Sequence, residues 1–567
     1  MSYADGRYWI AYNGEVYNHV ELRGELEQAG HRFVSHTDTE VILAAYARWG
    51  EECLHRFNGM WAFILVDAVR RTAFLARDRF GVKPLYLWLL PEGGLAVASE
   101  IKQFSALPGW KAAANLQRAY EFAVHGIFDH TAETLFRGVR QLPGGWSLSL
   151  DLGPGAPLGE PKAWYRLPEE RVDLSLEEAA RRVGEGLADS VRLRLRADVK
   201  VGSCLSGGVD SSSIVCLVND RLRGMGREEI QETVSSCFDI ERYDERRFIE
   251  AVARKTGVRT HYVFPDPEKL FEDLPRVAWH QDEPFGSTSI YAQWCVFREA
   301  KRHGLIVMLD GQGADETLAG YHGFFSSWFA QLLKGFRWIR LAREIKAWRR
   351  NHGYGLGKAA SLLAYQLVPG WLRAAAMGAA GRSVRPGWVN AERLADSGVK
   401  MGHLEAARPE GSLYRDCRKK LLYSSLPMLL HWEDRDSMAH SVEARVPFVD
   451  YRLVELILSL PDNARIRNGW TKAVLREAMK GILPEEVSAR RDKMGFETPE
   501  KIWIRESSTE RFRKAAMDAC DRVPILDRAG AAAHFEGVVG GQIPFDFSLW
   551  RWISLGAWAE AFGVGFE

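Results

Sequence analysis

The stretch Ser206-Gly207-Gly208-Val209-Asp210-Ser211-Ser212 combines residue types that could bind phosphate. It directly follows the strand-like run VKVGSCL and directly precedes a run that is typical of a helix. Two adjacent glycines allow a tight turn that directs successive backbone N–H groups into one concavity, and the N-terminus of the following helix favours an anion there. The stretch therefore predicts a phosphate-binding loop.

Other phosphate and nucleophile motifs do not fit the sequence. A Walker A loop ends in Gly-Lys-Ser/Thr, and the nearest match, GYGLGKAA, lacks both the spacing and the hydroxyl. A dinucleotide GxGxxG motif after a strand is also missing, and Ser206 has no GxSxG elbow around it that would make it a nucleophile. The remaining alternative is a glycine-rich turn between a strand and a helix that binds no ligand.

The elements that must position this loop alternate between strands and helices. The runs VKVGSCLS, TVSSCF, THYVF and GLIVMLD are typical of buried strands, and helical runs such as SSSIVCLVNDRL and DERRFIEAVARKTG separate them. Strands that alternate with helices in this way indicate a parallel sheet covered on both faces. We therefore expect an α/β domain with helical additions.

The beginning of the chain has a different pattern. Short apolar or alternating runs follow one another at hairpin distances, and helices are expected only around Val20–Ala29 and Asp38–Trp49. This pattern predicts an antiparallel α+β sandwich, and the Pro- and Gly-rich stretch DLGPGAPLGEP ends it. The predicted units are a first domain at 1–150, a linker at 151–175, and a second domain at 176–567 with a helical insert at about 324–400.

Composition narrows the class of protein. The 567 residues include 75 Lys and Arg against 74 Asp and Glu, and this formal charge of +1 gives no net field for nucleic acid. Seven cysteines lack the spacing of a zinc site, which favours reduced thiols. No run reaches the ~18 apolar residues of a membrane span. We expect a cytoplasmic protein that does not bind nucleic acid; its oligomeric state stays open, a homodimer included.

The segment Phe324–Gly353 is basic and rich in tryptophan, and it reads as one or two amphipathic helices. Such helices can lie on membranes or bind partners. The simpler interpretation is an accessory helical arm that packs on the core, and we favour it.

Several motifs resemble one enzyme family. SGGVDSSS resembles the pyrophosphate loop of the ATP pyrophosphatase family. Three further stretches resemble glutamine-dependent asparagine synthetase: LDGQGADETLAGY (309–321), RDSMAHSVEARVPFVDYRLVE (435–455) and TKAVLREAMKGILPEEV (471–487). Four stretches resemble the family's amino-terminal glutaminase domain: NGEVYNH (13–19), TDTE (37–40), GMWAFILVD (59–67) and RDRFGVKPLY (77–86). The resemblance therefore runs over nearly the whole chain.

The resemblance implies a synthetase that uses ATP and Mg²⁺. AMP would be transferred to the side-chain carboxylate of aspartate, pyrophosphate would leave, and ammonia derived from glutamine would form the amide. Asp210 and Asp315 would be the Mg²⁺ ligands. Lys472 and Arg476, four residues apart on a predicted helix, would meet phosphate oxygens from one face, the alternative being a solvated helix face. The implied ATP and pyrophosphate contacts are Leu205, Ser206, Gly207, Gly208, Asp210, Ser211, Ser212, Phe238, Asp310 and Gly311.

Gln312 departs from the family pattern. The best-known bacterial members have a glutamate there, implicated in forming the aspartyl adenylate and in proton transfer from ammonia, and glutamine cannot accept a proton. Its amide could still orient the substrate, so Gln312 remains a predicted catalytic residue with Lys472 and Arg476. The alternatives are another acceptor, such as a sugar or peptide carboxylate, ring closure within a substrate, or a non-catalytic nucleotide-binding protein. Glu443 and Arg445 could equally be structural and are left outside the predicted site.

The predicted glutamine site is incomplete. The resemblance assigns Asn13 and Gly14 to the oxyanion hole and Glu15 and Asp38 to the amino group of glutamine. The family's glutaminase begins with a cysteine whose α-amino group assists its thiol, and here the first cysteine, Cys53, lies in a run typical of a buried structural thiol. We therefore expect that the chain as written does not carry out the glutaminase half-reaction. Truncation or a wrongly assigned start is the preferred explanation, and natural loss of glutaminase activity is the second.

Overall fold

A computed structural model describes residues 1–224, 230–367, 383–408, 410–491 and 495–567. Two antiparallel sheets form from the first part of the chain, and a parallel sheet with many helices forms from the rest. The predicted fold class is thereby confirmed.

The antiparallel part contains nine strands. A six-stranded sheet has the order β1-β2-β3-β4-β8-β9, and a three-stranded sheet has the order β6-β5-β7. The strands are β1 (Ser2–Tyr3), β2 (Tyr8–Val16), β3 (Gly59–Asp67), β4 (Thr72–Arg77), β5 (Tyr86–Leu89), β6 (Leu95–Ala98), β7 (Val139–Gln141), β8 (Trp146–Asp151) and β9 (Lys162–Ala163).

These two sheets pack face to face through apolar side chains. Leu75 on β4 and Leu148 on β8 belong to one buried cluster with Leu142, and Leu87 on β5 packs against it. The other face of the larger sheet is covered by the helices His19–Gln28 and Asp38–Trp49, which lie within a residue or so of the predicted ranges. The alternating pattern of the strands, with a different apolar set on each face, accounts for this layering.

The predicted linker at 151–175 contributes structure of its own. Strand β9 lies inside it and pairs with β8 through Trp146 and Ser147. The next helix begins at Leu176, because the Ser175 side chain accepts a hydrogen bond from the Glu178 N–H. The domain boundaries themselves stay predictions.

The parallel sheet has five strands in the order β12-β11-β10-β13-β14, and every neighbouring pair is parallel. Four of the strands were expected from the sequence. The fifth was not, because its three residues include two charged ones and give no periodic pattern. The strands are β10 (Val201–Cys204), β11 (Glu232–Ser236), β12 (Arg259–Val263), β13 (Val307–Leu309) and β14 (Glu443–Arg445).

Helices surround this sheet and extend beyond it. The other α-helices are Leu116–His125, Leu176–Arg194, Val209–Gly224, Arg246–Thr256, Pro267–Gln281, Ser289–Arg302, Ala314–Thr317, Phe324–Lys334, Trp338–His352, Leu356–Leu367, Ala391–Asp396, Leu413–Lys419, Leu426–Ala439, Tyr451–Ser459, Asp462–Arg465, Ala473–Ala478, Glu485–Ser488, Glu500–Ile502, Thr509–Arg522, Arg528–Val539 and Ser548–Phe562. Short 3₁₀ or π turns lie at Gly50–Arg56, Ile101–Ala106, Glu241–Tyr243, Glu405–Ala407, Lys420–Ser424, Pro447–Val449 and Trp503–Ser507. Among the described residues, none of these helices has the combination of length and apolar character needed to cross a bilayer.

The predicted insert at about 324–400 contains the helices Phe324–Lys334, Trp338–His352, Leu356–Leu367 and Ala391–Asp396 in its described part, and 368–382 lies outside the described residues. Phe325, Trp328 and Trp348 on its first two helices are buried in one cluster, as expected of an accessory arm packed on the core. The turn between these helices is exposed instead, with Trp338 62% and Phe336 82% accessible.

The two parts of the chain share buried contacts. Trp558, on the last helix, stacks edge-on against Phe136 of the first part, with ring centroids 5.1 Å apart. Lys83 Nζ and Asp434 Oδ1 are 2.9 Å apart, and both side chains are almost completely buried. The interface therefore contains an ion pair with little access to water.

Replacing Lys83 by methionine should destabilise the protein, because Asp434 would stay buried with only Arg435 as its ionic partner. We expect the free energy of unfolding to fall by about 3 kcal/mol in urea denaturation. Lys480→Met is the control, since the Lys480 side chain is exposed. Equal stabilities of the two variants would contradict the assigned role of the buried pair.

Candidate active site

The largest concentration of predicted site residues lies at the carboxyl ends of β10 and β13. Strand β10 has β11 on one side and β13 on the other, so the order of the sheet reverses there, where open α/β sheets have their crevice. A cavity of about 300 Å³ opens at this point. The predicted residues that line it are Leu205, Ser206, Gly208, Asp210, Ser211, Asp310, Gly311, Gln312, Asp315, Lys472 and Arg476.

The loop after β10 makes a tight turn into the helix Val209–Gly224. Gly207 has φ +69°, and a Cβ there would lie 2.6 Å from Cβ of Phe248, so only glycine fits. The Ser211 hydroxyl accepts a hydrogen bond from the Ser206 N–H at 3.2 Å and closes the turn at the start of the helix Val209–Gly224. Ser212 is fully buried behind the loop, where its N–H donates to Gly208 O.

The Lys472 ammonium joins the two predicted metal ligands. Its Nζ contacts the carboxylate of Asp210 and lies 2.6 Å from Asp315 Oδ1. The Lys472 side chain is 4% exposed, and the ion pairs compensate its burial. The arrangement is close-packed: a Cβ on Gly320 would lie 1.7 Å from Asp315 Oδ1 and 2.4 Å from Lys472 Cε.

The expected shared helix face of Lys472 and Arg476 is not present. The helix begins at Ala473, and Lys472 precedes it with φ +56°, so the two side chains do not follow helical spacing. The Arg476 guanidinium donates to the carbonyls of Thr471, Ser488 and Arg490, and burial lowers its pKa to about 10. Arg476 therefore connects the segment around Ser488 to the cavity wall while still lining the cavity.

Asp310 and Gln312 follow β13 at the opposite wall. Asp310 Oδ1 accepts a hydrogen bond from the Gly311 N–H, and burial raises the pKa of its carboxyl. A Cβ on Gly311 would lie 3.2 Å from Cβ of Asp210, so the loops after β10 and β13 touch at this point. Gln312 is half-buried and lines the cavity.

Two predicted contacts are occupied by the protein itself. The Leu205 N–H donates to Val234 O, and Leu205 O accepts from the Ser235 hydroxyl, so both backbone polar groups of Leu205 are hydrogen-bonded to β11. The Phe238 side chain packs against Tyr243 and Trp503 and is not among the residues that line the cavity.

Sequence reasoning missed several residues of the same cavity. Arg490 lines the cavity, donates to Gly207 O at 3.2 Å and forms an ion pair with Glu245, so it holds the loop after β10 in place. Arg491, His322 and Trp432 also line the cavity. No local pattern distinguishes these residues, although Arg490 and Arg491 lie shortly after the end of one of the family-like stretches, 471–487.

The predicted glutamine residues lie together on the larger antiparallel sheet. Asn13, Gly14 and Glu15 are consecutive on β2, and the Asp38 carboxylate accepts hydrogen bonds from Tyr12 and the Val16 N–H. Gly14 has φ +143°, and a Cβ there would lie 2.1 Å from Met60 O, so the strand requires glycine at that position.

Glu15 connects this group to the parallel sheet. Its carboxylate lies 3.7 Å from the Arg445 guanidinium, which also contacts Glu443 at 2.6 Å. Burial, assisted by the nearby Asp38, raises the pKa of Glu15 to about 7. Arg445 and Glu443, left out of the predicted site, therefore lie between its two halves.

Cys53 does not resemble a nucleophile in the structure. Its side chain is fully buried in the core behind the larger antiparallel sheet, and burial raises the pKa of its thiol. The seven cysteines, all within the described ranges, are unpaired.

Comparisons with known proteins identify relatives over most of the chain. Asparagine synthetase [glutamine-hydrolyzing] 1 of Bacillus subtilis is 28% identical over 92% of this chain and 80% of its own length. Asparagine synthetase [glutamine-hydrolyzing] 3 of the same organism is 28% identical over 86% of this chain and 75% of its own. Amidase chyE of Penicillium rubens is 28% identical over 87% of this chain and 77% of its own.

Family models match both parts of the chain. The model described as a glutamine amidotransferase domain matches residues 1–154, and this match gives no support to the expectation that the glutaminase half is absent. The model described as asparagine synthase matches residues 182–560, more than half of the chain. The protein is therefore a member of the glutamine-dependent asparagine synthetase family, an enzyme family that carries out glutamine-dependent amidation.

Proposed function

We propose that the protein synthesises asparagine from aspartate, with ATP as the activating substrate and ammonia derived from glutamine as the nitrogen donor. The observation that carries the proposal is the Lys472 ammonium, held against Asp210 and Asp315 beside the loop after β10. This arrangement combines a cation for phosphate oxygens with two carboxylates for a divalent ion in one cavity.

The pyrophosphate part of ATP would lie in the loop Ser206–Ser211. Backbone N–H groups at a helix N-terminus favour a multiply charged anion, and Lys472 adds a full positive charge to the same wall. The residues fit Mg²⁺, because Asp210 Oδ1 is buried without a hydrogen-bond partner and Asp315 offers a second hard oxygen. When bound, Mg²⁺ would neutralise charge on the phosphates.

The proposed reaction has two displacements. An oxygen of the aspartate side-chain carboxylate attacks the α-phosphorus of ATP, the bond to the β-phosphate oxygen breaks, and pyrophosphate leaves. Ammonia then attacks the acyl carbon, AMP leaves with the carboxylate oxygen, and the nitrogen loses a proton. Lys472 is suited to stabilise the charge that develops on the leaving pyrophosphate.

Gln312 is also compatible with an acceptor other than aspartate. Its amide can donate to and accept from a substrate carboxylate or amide but cannot take the proton of ammonia. A relative from Penicillium rubens has the name amidase rather than asparagine synthetase. The second candidate function is therefore amidation of another carboxylate, such as one on a sugar or peptide, in the same cavity.

Asn13, Gly14, Glu15 and Asp38 are proposed to bind glutamine. The positive φ of Gly14 and the neighbouring acids Glu15 and Asp38 suit a ligand with an α-amino group. Arg445 would separate this group from the synthetase cavity.

The test is pyrophosphate release from ATP and Mg²⁺ with ammonium chloride as nitrogen source, so that the result does not depend on glutamine hydrolysis. Aspartate should stimulate release, and asparagine should form in equal amount. Stimulation by another carboxylate, with none by aspartate, would replace asparagine synthesis by the second candidate. Nucleotide binding without turnover on any acceptor would indicate a non-catalytic protein and contradict both.

Asp210→Asn should lower the rate of pyrophosphate release by about 10²–10³, because it removes a charge from the proposed metal site and from the Lys472 ion pair. Asp220→Asn is the matched control, since Asp220 is exposed on the same helix. Equal rates for the two variants would remove Asp210 from the site.

Gln312→Glu should preserve or raise aspartate-dependent turnover, because it places a proton acceptor at the wall of the same cavity. The measurement is asparagine formation at saturating ATP and ammonium. If aspartate is inert with both the natural protein and the variant, but another carboxylate is amidated, aspartate is not the acceptor.

Gly320→Ala should lower pyrophosphate release by about 10², because the added Cβ displaces the carboxylate of Asp315 and the Lys472 side chain. Gly323→Ala is the control, since a Cβ at Gly323 meets nothing within 4 Å. Calorimetry of both variants checks that each is folded under the assay conditions before their rates are compared. A Gly320→Ala protein with full activity would show that the site tolerates a shift of this ion-pair group.

A further inference from the structure

Three ligand-type side chains from distant segments meet where the two parts of the chain pack together. Asp129 follows the helix Leu116–His125, Glu283 follows the helix Pro267–Gln281, and His431 lies on the helix Leu426–Ala439. A carboxylate oxygen of each acid and a ring nitrogen of the histidine all lie within 4.8 Å of one another. The Asp129 and His431 side chains are 4% and 6% exposed, and Glu283 is 1% exposed.

The histidine presents a lone pair to this cluster. His431 Nε2 lies 3.0 Å from Gln281 O, which can only accept, so in the neutral ring Nε2 carries the proton. Its Nδ1 lies 3.1 Å from Asp129 Oδ2 and 3.4 Å from the Tyr86 hydroxyl. Either a proton on Nδ1 or a metal ion can bridge Nδ1 and the Asp129 carboxylate. A backbone carbonyl behind the other ring nitrogen is the usual support of a metal-bound histidine.

Each acid is oriented through one oxygen and offers the other. Glu283 Oε1 accepts a hydrogen bond from the Leu135 N–H at 2.6 Å, while Glu283 Oε2 is buried without a hydrogen-bond partner. Asp129 Oδ1 accepts from the Gln141 amide at 2.9 Å, and its Oδ2 points to His431.

Two neighbouring protein cations are paired with other acids. Arg435, one helical turn beyond His431, is bonded to Asp434 and Asp282, and Lys102 is bonded to Asp282 and Glu100. A cavity of about 510 Å³ adjoins the cluster, with Asp129, His431 and Tyr86 in its wall, and provides a path for a hydrated ion.

We propose that Asp129, Glu283 and His431 bind one divalent transition-metal ion at the interface between the two parts of the chain. One imidazole nitrogen and two carboxylate oxygens suit Zn²⁺ or Mn²⁺ better than Mg²⁺, which prefers oxygen ligands alone. The ion would fasten three segments that are otherwise far apart in sequence. This site is distinct from the one proposed for ATP, so its test does not depend on turnover.

A second cluster, of one acid and two histidines, provides a control. Glu232, His261 and His303 also bring three ligand atoms within 4.8 Å. There the acid is bonded to Lys200 and His261, and His303 contacts Glu299, so every group has a protein partner. We expect no stoichiometric metal at that cluster.

The experiment is metal analysis and calorimetry of the full chain without nucleotide. The protein is stripped with a chelator, loaded with ZnCl₂, dialysed and analysed by plasma mass spectrometry. The natural protein should retain one Zn²⁺ per chain and unfold at a higher temperature when loaded. Glu283→Gln, which keeps the side-chain shape, should retain at least tenfold less Zn²⁺ and show no temperature response; His303→Asn should behave like the natural protein.

Two outcomes would overturn the proposal. One is a natural protein that retains no Zn²⁺ or Mn²⁺ and shows no metal-dependent change in unfolding temperature, because the cluster would then be held by shared protons. The other is Zn²⁺ retained by Glu283→Gln and lost by His303→Asn, which would assign the ion to the second cluster. If Glu283→Gln does not fold, the absorption of Co²⁺ bound to the natural protein decides, since an imidazole and carboxylate site gives visible bands that free Co²⁺ in the same buffer lacks.

Discussion

The ammonium of Lys472 and its two carboxylate partners are the interaction on which the synthetase cavity depends. Asp210 comes from the loop after β10, Asp315 from the segment after β13, and Lys472 from a stretch about 160 residues further along. A buried ammonium is costly without partners, and two adjacent buried carboxylates repel each other. Each of the three segments is therefore stable in its place only when the other two are present, and the cavity is defined by this mutual requirement.

Much of this arrangement could be predicted from the sequence, because it is encoded locally. The strand before Ser206, the two glycines and the helix after them are neighbours in the chain, and the parallel order follows from alternation. The left-handed backbone of Lys472 and the short strand β14 could not be predicted, since contacts with distant residues fix both. The same holds for Arg490, whose role appears only when its contact with Gly207 O is seen.

The two halves of the proposed enzyme are connected through buried charge. Arg445 lies at the end of the parallel sheet and contacts Glu443 on its own strand and Glu15 on the antiparallel sheet. Lys83 and Asp434 form a second polar connection elsewhere in the interface. Buried ionic contacts stabilise less than apolar packing of the same size but tolerate little displacement, so they fix the relative position of the two halves.

Hydrogen bonds also join distant parts of the chain along one edge. The Ala114 N–H donates to Gly565 O at 2.8 Å, and the Gly565 N–H donates to Ala112 O at 2.9 Å. During translation the early segment leaves the ribosome long before its partner is made, by tens of seconds at roughly 5–20 residues per second. Apolar residues of the early segment that pack on the last helix, such as Phe136, lack this contact until Trp558 has been synthesised. The nascent chain is thus exposed to chaperones and to aggregation until this later segment has emerged.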